Sequence, residues 1–463
     1  MPVTLRPYQL DAIADIRAAF RQGARKVLHV APTGSGKTVM FSWMAMETAA
    51  RGKRVLILVH RRELIFQTLQ TLVDTSGQHD VAGIIYANFV TDLDHPIQIA
   101  TVQTLARRQL PYIFDFIIID EAHHAVAKTW SRVLAQNSNA YVLGVTATPV
   151  RMTGRGLGDL FNELVPGPTV RDLTSQGYLS PSLLYGPPGE IDTSHLHVRQ
   201  GDYVTHELEM AADKPEITGD AVEHYRKHCD GQPAIAFCAS VLHAHHVAIA
   251  FRKAGYSAAA VDGNMKDDAR DNTLKAFANG EMNVVTSCDL ISEGLDVPRV
   301  SCGIMLRPTK STGLAIQQMG RCLRPFPGKL HAVILDHAGN WRRHGLPDED
   351  HQWTLDARPI KTRPDDGQIL TRQCPQCYHI HRPGPVCPNC GYVYPIQPRT
   401  VQQVDGELEE IKARLVAKKK RVEVGRARDL EALQQIERER GYKHGWAYYV
   451  YNARKRRRAT TTT

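Results

Sequence analysis

Three stretches of this chain hold residue types whose spacing could do chemistry. The first is APTGSGKT, residues 31–38. Around Thr33, Gly34, Ser35 and Gly36 backbone N–H groups can wrap a phosphate, Lys37 can reach the outer phosphates of a nucleoside triphosphate such as ATP, and the Thr38 hydroxyl can bind Mg2+. Ala31 stands where glycine is commoner in this P-loop pattern. The second stretch, FDFIIIDEAHHA at 114–125, runs from aliphatic residues into two carboxylates, Asp120 and Glu121, followed by His123 and His124. Adjacent carboxylates repel each other unless a divalent cation and a bound nucleotide reverse that cost, which makes sense of them beside the first stretch. Asp120 is placed to hold Mg2+ through its water shell, and Glu121 to orient and deprotonate an attacking water. The paired histidines read as hydrogen-bonding groups before metal ligands. The third stretch, CPQCYHIHRPGPVCPNCG at 374–391, sets Cys374, Cys377, Cys387 and Cys390 in the spacing C-x2-C-x9-C-x2-C. Four thiolates in two such knuckles suit tetrahedral Zn2+ with no position left open, and Gly391 permits the tight turn of a zinc ribbon.

Such groups must be carried by elements that hold them still. The carboxyl ends of buried parallel strands are where α/β sheets present ligand chemistry. KVLHV precedes the first stretch and FIIID carries the second, while VLILV, IQIAT and YVLGVT are further aliphatic runs separated by helix-length segments. LRPYQLDAIADIRAAFRQG, with Pro7 near its start and Gly23 after its end, predicts a helix of about four turns. Between Leu164 and Ile191 prolines and glycines accumulate, as in an interdomain connection. PAIAFC, SAAAVDG, NVVTSC, VSCGIML and HAVILDH then repeat the alternation as far as Asn340. The expected fold is α/β: two tandem parallel-sheet domains at 1–165 and 191–345 joined by a linker at 166–190, then a small zinc ribbon at 370–395 and a basic helical tail at 400–463.

The charge is unevenly spread. Of the net +9, residues from Arg399 onward hold 17 Lys and Arg against 9 Asp and Glu, leaving 40 against 39 for the rest. A balanced body with a basic end suggests an enzyme carrying a polyanion contact, or simply a solvated tail. In GYKHGWAYYVYNARKRRR, Trp446, Tyr448, Tyr449 and Tyr451 alternate with cations and could stack bases, or could dock a terminal helix. Asp405 with Glu410 and Lys412 has the skeleton of a nuclease metal site, yet the surrounding composition favours helix where that site needs strands. No apolar run approaches the ~18 residues of a membrane span, and the N-terminus lacks a secretion-signal pattern. A reducing, cytoplasmic compartment is therefore expected, with Cys229, Cys238, Cys288, Cys302 and Cys322 as core thiols.

DEAH at 120–123 together with APTGSGKT resembles a superfamily 2 helicase of the DEAD/DEAH-box type, and the remaining motifs follow in order from residue 5 to 325: LRPYQ, VHRRELIFQ, TVQTL, TATP, FCASVLHA, VDGNM, TSCDLISEGLDVP and QQMGRCLRP. The resemblance implies two RecA-like domains. It implies that Gln9 reads adenine with Arg6 nearby, that Gly294 and Asp296 approach the nucleotide, and that Gln317, Arg321 and Arg324 reach it from the second domain. Arg321 and Arg324, three apart, are expected on one helix face, supplying an arginine finger. Arg62, Thr101, Gln103, Ser240 and Thr286 carry over as contacts to a nucleic-acid backbone, giving affinity without sequence choice. With the four-Cys ribbon and GYKHGWAYYVY, the chain is similar to the RadD-like group of bacterial and phage helicases, which implies single-stranded or branched DNA, repair or recombination partners and a nucleoid setting. A nucleotide-switched DNA-binding module and an RNA helicase remain the alternatives.

Overall fold

All ten aliphatic runs form strands. Their residues are buried on both faces, which only the interior of a helix-covered parallel sheet allows. The computed structural model describes residues 4–87, 89–105, 108, 112–124, 127–151, 154–187, 191–199, 201–288, 297–356, 371–395, 427 and 429–459. Residues 1–394 form one compact body and 395–463 a second. Among the described residues no helix is long and apolar enough to cross a membrane.

The first lobe holds β1 (Lys26–Val30), β2 (Val55–Val59), β3 (Gly83–Tyr86), β4 (Phe89–Val90), β5 (Ile97–Thr101), β6 (Phe116–Ile119), β7 (Tyr141–Thr146) and β8 (Glu163–Pro166). Their order is β4-β3-β5-β2-β6-β7-β1-β8, parallel except for the β3–β4 pair. Val30 pairs with Thr146 and Ile119 with Gly144, so β1, β7 and β6 end side by side. That register brings APTGSGKT, TATP and DEAH to one edge of the sheet. Helix α1 (Pro7–Arg21) starts at Pro7 as expected, α2 (Lys37–Ala50) grows out of the glycine-rich loop, and α3 (Arg62–Ser76) follows β2.

The second lobe adds β9 (Ser182–Tyr185), a short hairpin of β10 (Val198–Arg199) and β11 (Asp202–Tyr203), then β12 (Ala234–Phe237), β13 (Ala258–Ala260), β14 (Val284–Ser287), β15 (Cys302–Met305) and β16 (Ala332–Asp336). The ribbon supplies β17 (Arg372–Gln373) and β18 (His379–His381), giving the order β13-β14-β12-β15-β16-β9-β18-β17. The proline- and glycine-rich connection is thus more ordered than its composition suggests. It carries a helix at Val170–Ser175, capped reciprocally by Thr169 and Asp172, and then β9, which pairs parallel to β16. The ribbon is knitted to the same edge, because β18 runs antiparallel to β9.

One feature has no counterpart in the sequence patterns. After the helix Asn340–His344 the chain leaves the second-lobe core at Leu346 and returns to the first lobe, where Trp353 and Leu355 pack on the cluster around Leu28 and Phe161. Gly158 N–H donates to the Leu355 carbonyl at 2.8 Å. A Cβ on Gly156 would lie 2.2 Å from that same oxygen, so the close approach needs glycine. Midway, Asp348 pairs with Arg382 of the ribbon at 3.0 Å, and Arg171 of the connecting helix pairs with Asp350 at 3.1 Å. Residues 346–356 are a strap tying the lobes together a second time.

The C-terminal body is a helical hairpin, Leu430–Arg440 and Trp446–Ala459, turned at Gly441 with φ +64°. Glu437 caps the second helix by accepting from the N–H groups of Gly445 and Ala447 at 3.1 and 2.6 Å. Its aromatics divide: Trp446 and Tyr451 pack on the small core of Leu433, Ile436 and Ala447, whereas Tyr448 and Tyr449 are exposed. Asp405, Glu410 and Lys412 lie outside the described residues.

Candidate nucleotide site at the interlobe cleft

Gly34 and Gly36 both adopt left-handed backbone, φ +85° and +77°, and Gly36 is the N-cap of α2. The loop therefore curls over the amino end of a helix, where unpaired N–H groups and the helix dipole favour an anion. Lys37 donates to the carbonyls of Ala31 and Pro32 at 3.0 and 3.1 Å, an arrangement that keeps its ammonium satisfied beneath the loop. Burial lowers its pKa, with Glu121 and Asp120 opposing. The Ser35 hydroxyl is buried and has no hydrogen-bond partner among the described residues. Gln9 donates to the Gly36 carbonyl at 3.1 Å and accepts from Arg6 N–H at 2.9 Å, so its amide is held against the loop. Tyr8 adds a 2.7 Å bond to the Ser35 carbonyl.

Asp120 directly follows β6 and is buried. Burial, then the neighbouring Glu121, pushes its carboxyl up to about 7 against the pull of Lys37. Glu121 sits at φ +46°, a region non-glycine residues rarely occupy, and its Oε2 is buried without a hydrogen bond, 3.4 Å from His123 Nδ1. A crowded acid pair with an unsatisfied oxygen, facing a lysine, is a donor set that fits a hydrated divalent cation.

The second lobe completes the site. The helix Thr312–Gly320 stops before both arginines and so gives them no shared helix face: Arg321 opens a 3-10 turn, and Arg324 is extended at φ −65°, ψ 135°. Both side chains nevertheless reach the cleft, because the tight turn replaces the helical one. With Arg6, Thr33, Gly34, Lys37, Thr38, Asp120 and Glu121 they line a cavity of about 290 Å³. The lobes touch here: a Cβ on Gly320 would lie 2.9 Å from Thr33 Cβ, and one on Gly34 would lie 3.3 Å from Arg324 Cγ. Gln317 bridges the cleft at 3.2 Å to His123 Nε2, and His123 Nδ1 lies 2.9 Å from Thr146 Oγ1. An amide donor on Nε2 fixes the proton on Nδ1, so the chain of donors runs from Gln317 through His123 and Thr146 to the Thr148 carbonyl. His123 is a hydrogen-bond relay, as expected. The role of Thr146 was visible only as part of TATP.

Comparison with known proteins agrees with this geometry. Residues 2–151 match the family "Type III restriction enzyme, res subunit" and residues 214–325 match "Helicase conserved C-terminal domain". A 51.5 kDa protein of a Lactococcus phage is 34% identical over 399 residues, 84% of each chain. The chain belongs to the superfamily 2 helicases. The ATP-dependent helicase IRC3 of Saccharomyces cerevisiae is 30% identical over 355 residues, 72% of this helicase but 51% of the yeast protein, so the chain spans about half of that relative. Among solved structures, a fragment of an HsdR subunit of a type I restriction enzyme from Vibrio vulnificus superposes with a TM-score of 0.58 at 23% identity, covering 74% of this chain and 66% of that one. Yeast Dbp5 bound to RNA and ADP BeF3 gives 0.53 at 14% identity, covering 74% and 93%. These two show the fold alone: tandem RecA-like lobes.

The helicase places the other expected residues unequally. Arg62 is half-buried at the start of α3 and pairs with Asp267 of the second lobe at 3.2 Å, beside the Arg270–Glu63 pair at 2.7 Å. Gln103 is exposed. Thr101 is buried and shares a hydrogen bond with Thr104, and Ser240 caps a helix by accepting from His243 N–H. Thr286 is fully buried and donates to the Ala244 carbonyl at 2.7 Å, which leaves its hydroxyl no open surface. Gly294 and Asp296 lie outside the described residues. The four ribbon sulfurs gather within 4.8 Å of one another. Cys374 to Cys390 is 3.6 Å and Cys377 to Cys387 is 3.8 Å, close to the ~3.8 Å edge of a tetrahedron with ~2.3 Å metal–sulfur bonds. Each knuckle closes alike, Tyr378 N–H donating to the Cys374 carbonyl and Gly391 N–H to the Cys387 carbonyl, both residues left-handed at φ +59° and +75°. The cluster fits a zinc ribbon.

Proposed function

We propose that this helicase hydrolyses ATP when engaged on DNA and uses the lobe motion to translocate, unwind or remodel it, as a member of the RadD-like group acting in repair or recombination. The observation that carries the reading is the single cavity where Lys37, Asp120 and Glu121 of one lobe meet Arg321 and Arg324 of the other. Phosphoryl transfer is catalysed by positioning and by charge set against the γ-phosphate. In this assignment Lys37 leaves its loop carbonyls for the outer phosphates, and the N–H groups from Thr33 to Gly36 cradle them. Mg2+, held by Thr38 and Asp120, would neutralise phosphate charge. Glu121 orients and deprotonates the water, and Arg321 and Arg324 stabilise charge that appears only as the γ-phosphate leaves. Gln9 and Arg6 select the base, with Gly294 and Asp296 toward the ribose. Gln317 reports cleft closure to His123 and so to the carboxylates.

DNA as the track is supported by the match of the first lobe to restriction-enzyme subunits and by the basic, aromatic C-terminal hairpin. Arg62 and Gln103 offer side chains to its backbone. Thr101 and Ser240 would act from their strand and helix ends. The ribbon would hold Zn2+ through Cys374, Cys377, Cys387 and Cys390 as a structural brace. ATP turnover of the purified chain with single-stranded, forked and duplex DNA and with RNA tests the reading. DNA should stimulate most, and Lys37→Ala should abolish turnover. Stimulation by RNA equal to that by DNA would favour an RNA helicase. DNA stimulation without ATP-driven opening of a forked duplex would favour a nucleotide-switched clamp.

A further inference from the structure

Arg324 is useful only if its backbone is held while its side chain reaches the P-loop, and it lies just past the end of a helix, where carbonyls lack intrahelical partners. Those carbonyls are collected by one side chain. From Arg324 the sequence reads RPFPGK, and Lys329 N–H donates to the Phe326 carbonyl at 3.0 Å with Gly328 at φ +82°. Proline followed by left-handed glycine is the pattern of a type II turn. It folds Lys329 back beneath the arginine turn, where its ammonium donates to Arg324 O at 2.7 Å, Val300 O at 2.6 Å and Cys322 O. An ammonium has three N–H groups, and all three find carbonyls. Val300 lies two residues past Pro298, which lines the cavity, so one cation fastens that stretch together with the arginine turn. Ser180 completes the clasp, donating from its N–H to the Leu323 carbonyl at 2.7 Å and from its hydroxyl to the Arg324 carbonyl at 3.4 Å.

We propose that Lys329 is a positioning residue for ATP hydrolysis, whose charged ammonium fixes the backbone from which Arg321 and Arg324 reach the nucleotide. This rests on the assignment of those arginines above. The half-buried ammonium touches no part of the cavity itself. Burial holds its pKa down to about 8, with Cys322 opposing and Arg324 reinforcing. Among the described residues the groups that act on it are the Arg324 guanidinium and the Cys322 thiol, which burial pushes up to about 12, well above Lys329. Above about pH 8 the neutral amine keeps two N–H groups for three carbonyls, and the turn loosens.

The test is kcat and KM for ATP from pH 6.5 to 9.5 in the full chain, for wild type, Lys329→Met and Lys329→Arg, with nucleotide binding measured alongside. Wild-type kcat should fall as pH rises through about 8. Lys329→Met should cut kcat about 10- to 100-fold at neutral pH, the scale of a ~1 Å misplacement, with KM little changed. Neither variant should keep the alkaline limb, since methionine does not titrate and a guanidinium keeps its charge throughout this range. A wild-type kcat flat across this range, or an alkaline limb that survives in either variant, overturns the proposal and leaves the active-site assignment standing. If Lys329→Met does not fold, the wild-type and Lys329→Arg profiles decide alone. A wild-type chain without turnover sinks both.

Discussion

Substituting Gly320 by alanine isolates the claim that hydrolysis needs a closed cleft. The added methyl would lie 2.9 Å from Thr33 Cβ across the lobe boundary. Carbon atoms at rest sit about 3.5–4.0 Å apart, so the lobes must separate locally by roughly 0.6–1 Å. Thr33 Cβ is rigidly attached to the P-loop backbone and cannot swing aside. A displacement near 1 Å costs on the order of 10²-fold in rate, so kcat should fall about 30- to 100-fold. Alanine touches no nucleotide group, and ATP binding by the first lobe should persist. Gly320 is itself helical, at φ −62°, ψ −22°, so alanine should leave stability unchanged or raise it by roughly 0.5–1 kcal/mol. Steady-state ATPase, binding of a fluorescent ATP analogue and a thermal melt separate these effects. A variant whose kcat stays within about twofold of wild type would refute the need for contact between the arginine turn and the loop, because steric overlap would then have no catalytic consequence.

Elemental analysis of the purified chain should find zinc, and Cys387→Ser should lose it with a drop in melting temperature, since Cys387 is buried and the ribbon is paired into the second sheet. Full metal content in that variant would remove Cys387 from the ligand set. Deleting residues 441–463 should reduce the slope of log affinity against log salt on single-stranded DNA by about 0.7 for each cation engaged. An unchanged slope would mean that the cations of this segment, Lys443 among them, do not engage the DNA phosphates. Gly156→Val should expel the strap at Leu355 and raise amide hydrogen exchange at Gly158 and across 347–356, forfeiting one hydrogen bond of about 1 kcal/mol and part of the burial of Trp353 and Leu355. Unaltered protection there would mean that Arg171 and Arg382 hold the strap without the Leu355 contact.

Much of this protein could be read from contiguous residues. A strand buried on both faces must be aliphatic along its whole length, so all ten central strands announced themselves. APTGSGKT and DEAH are local as well: the loop's shape is set by its own glycines, and the carboxylates follow directly on the strand that carries them. The cysteine spacing foretold which four sulfurs gather for the same reason, because each knuckle is closed by a bond between residues four apart.

What the tertiary structure alone decided involves residues far apart in the chain. Spacing put Arg321 and Arg324 on one helix face, yet the helix stops at Gly320, and only packing against the P-loop reveals that an extended Arg324 still arrives. Thr286 carries a motif position but spends its hydroxyl on Ala244, a partner no motif names. The strap, the pairing of β18 with β9 and the carbonyls gathered by Lys329 left no periodic signal, because each needs only one or two side chains and a fitting backbone approach. Sequence determined the elements and the reactive groups, since burial and backbone geometry act locally. How the lobes close on one another depended on contacts whose energy exists only once both surfaces are folded.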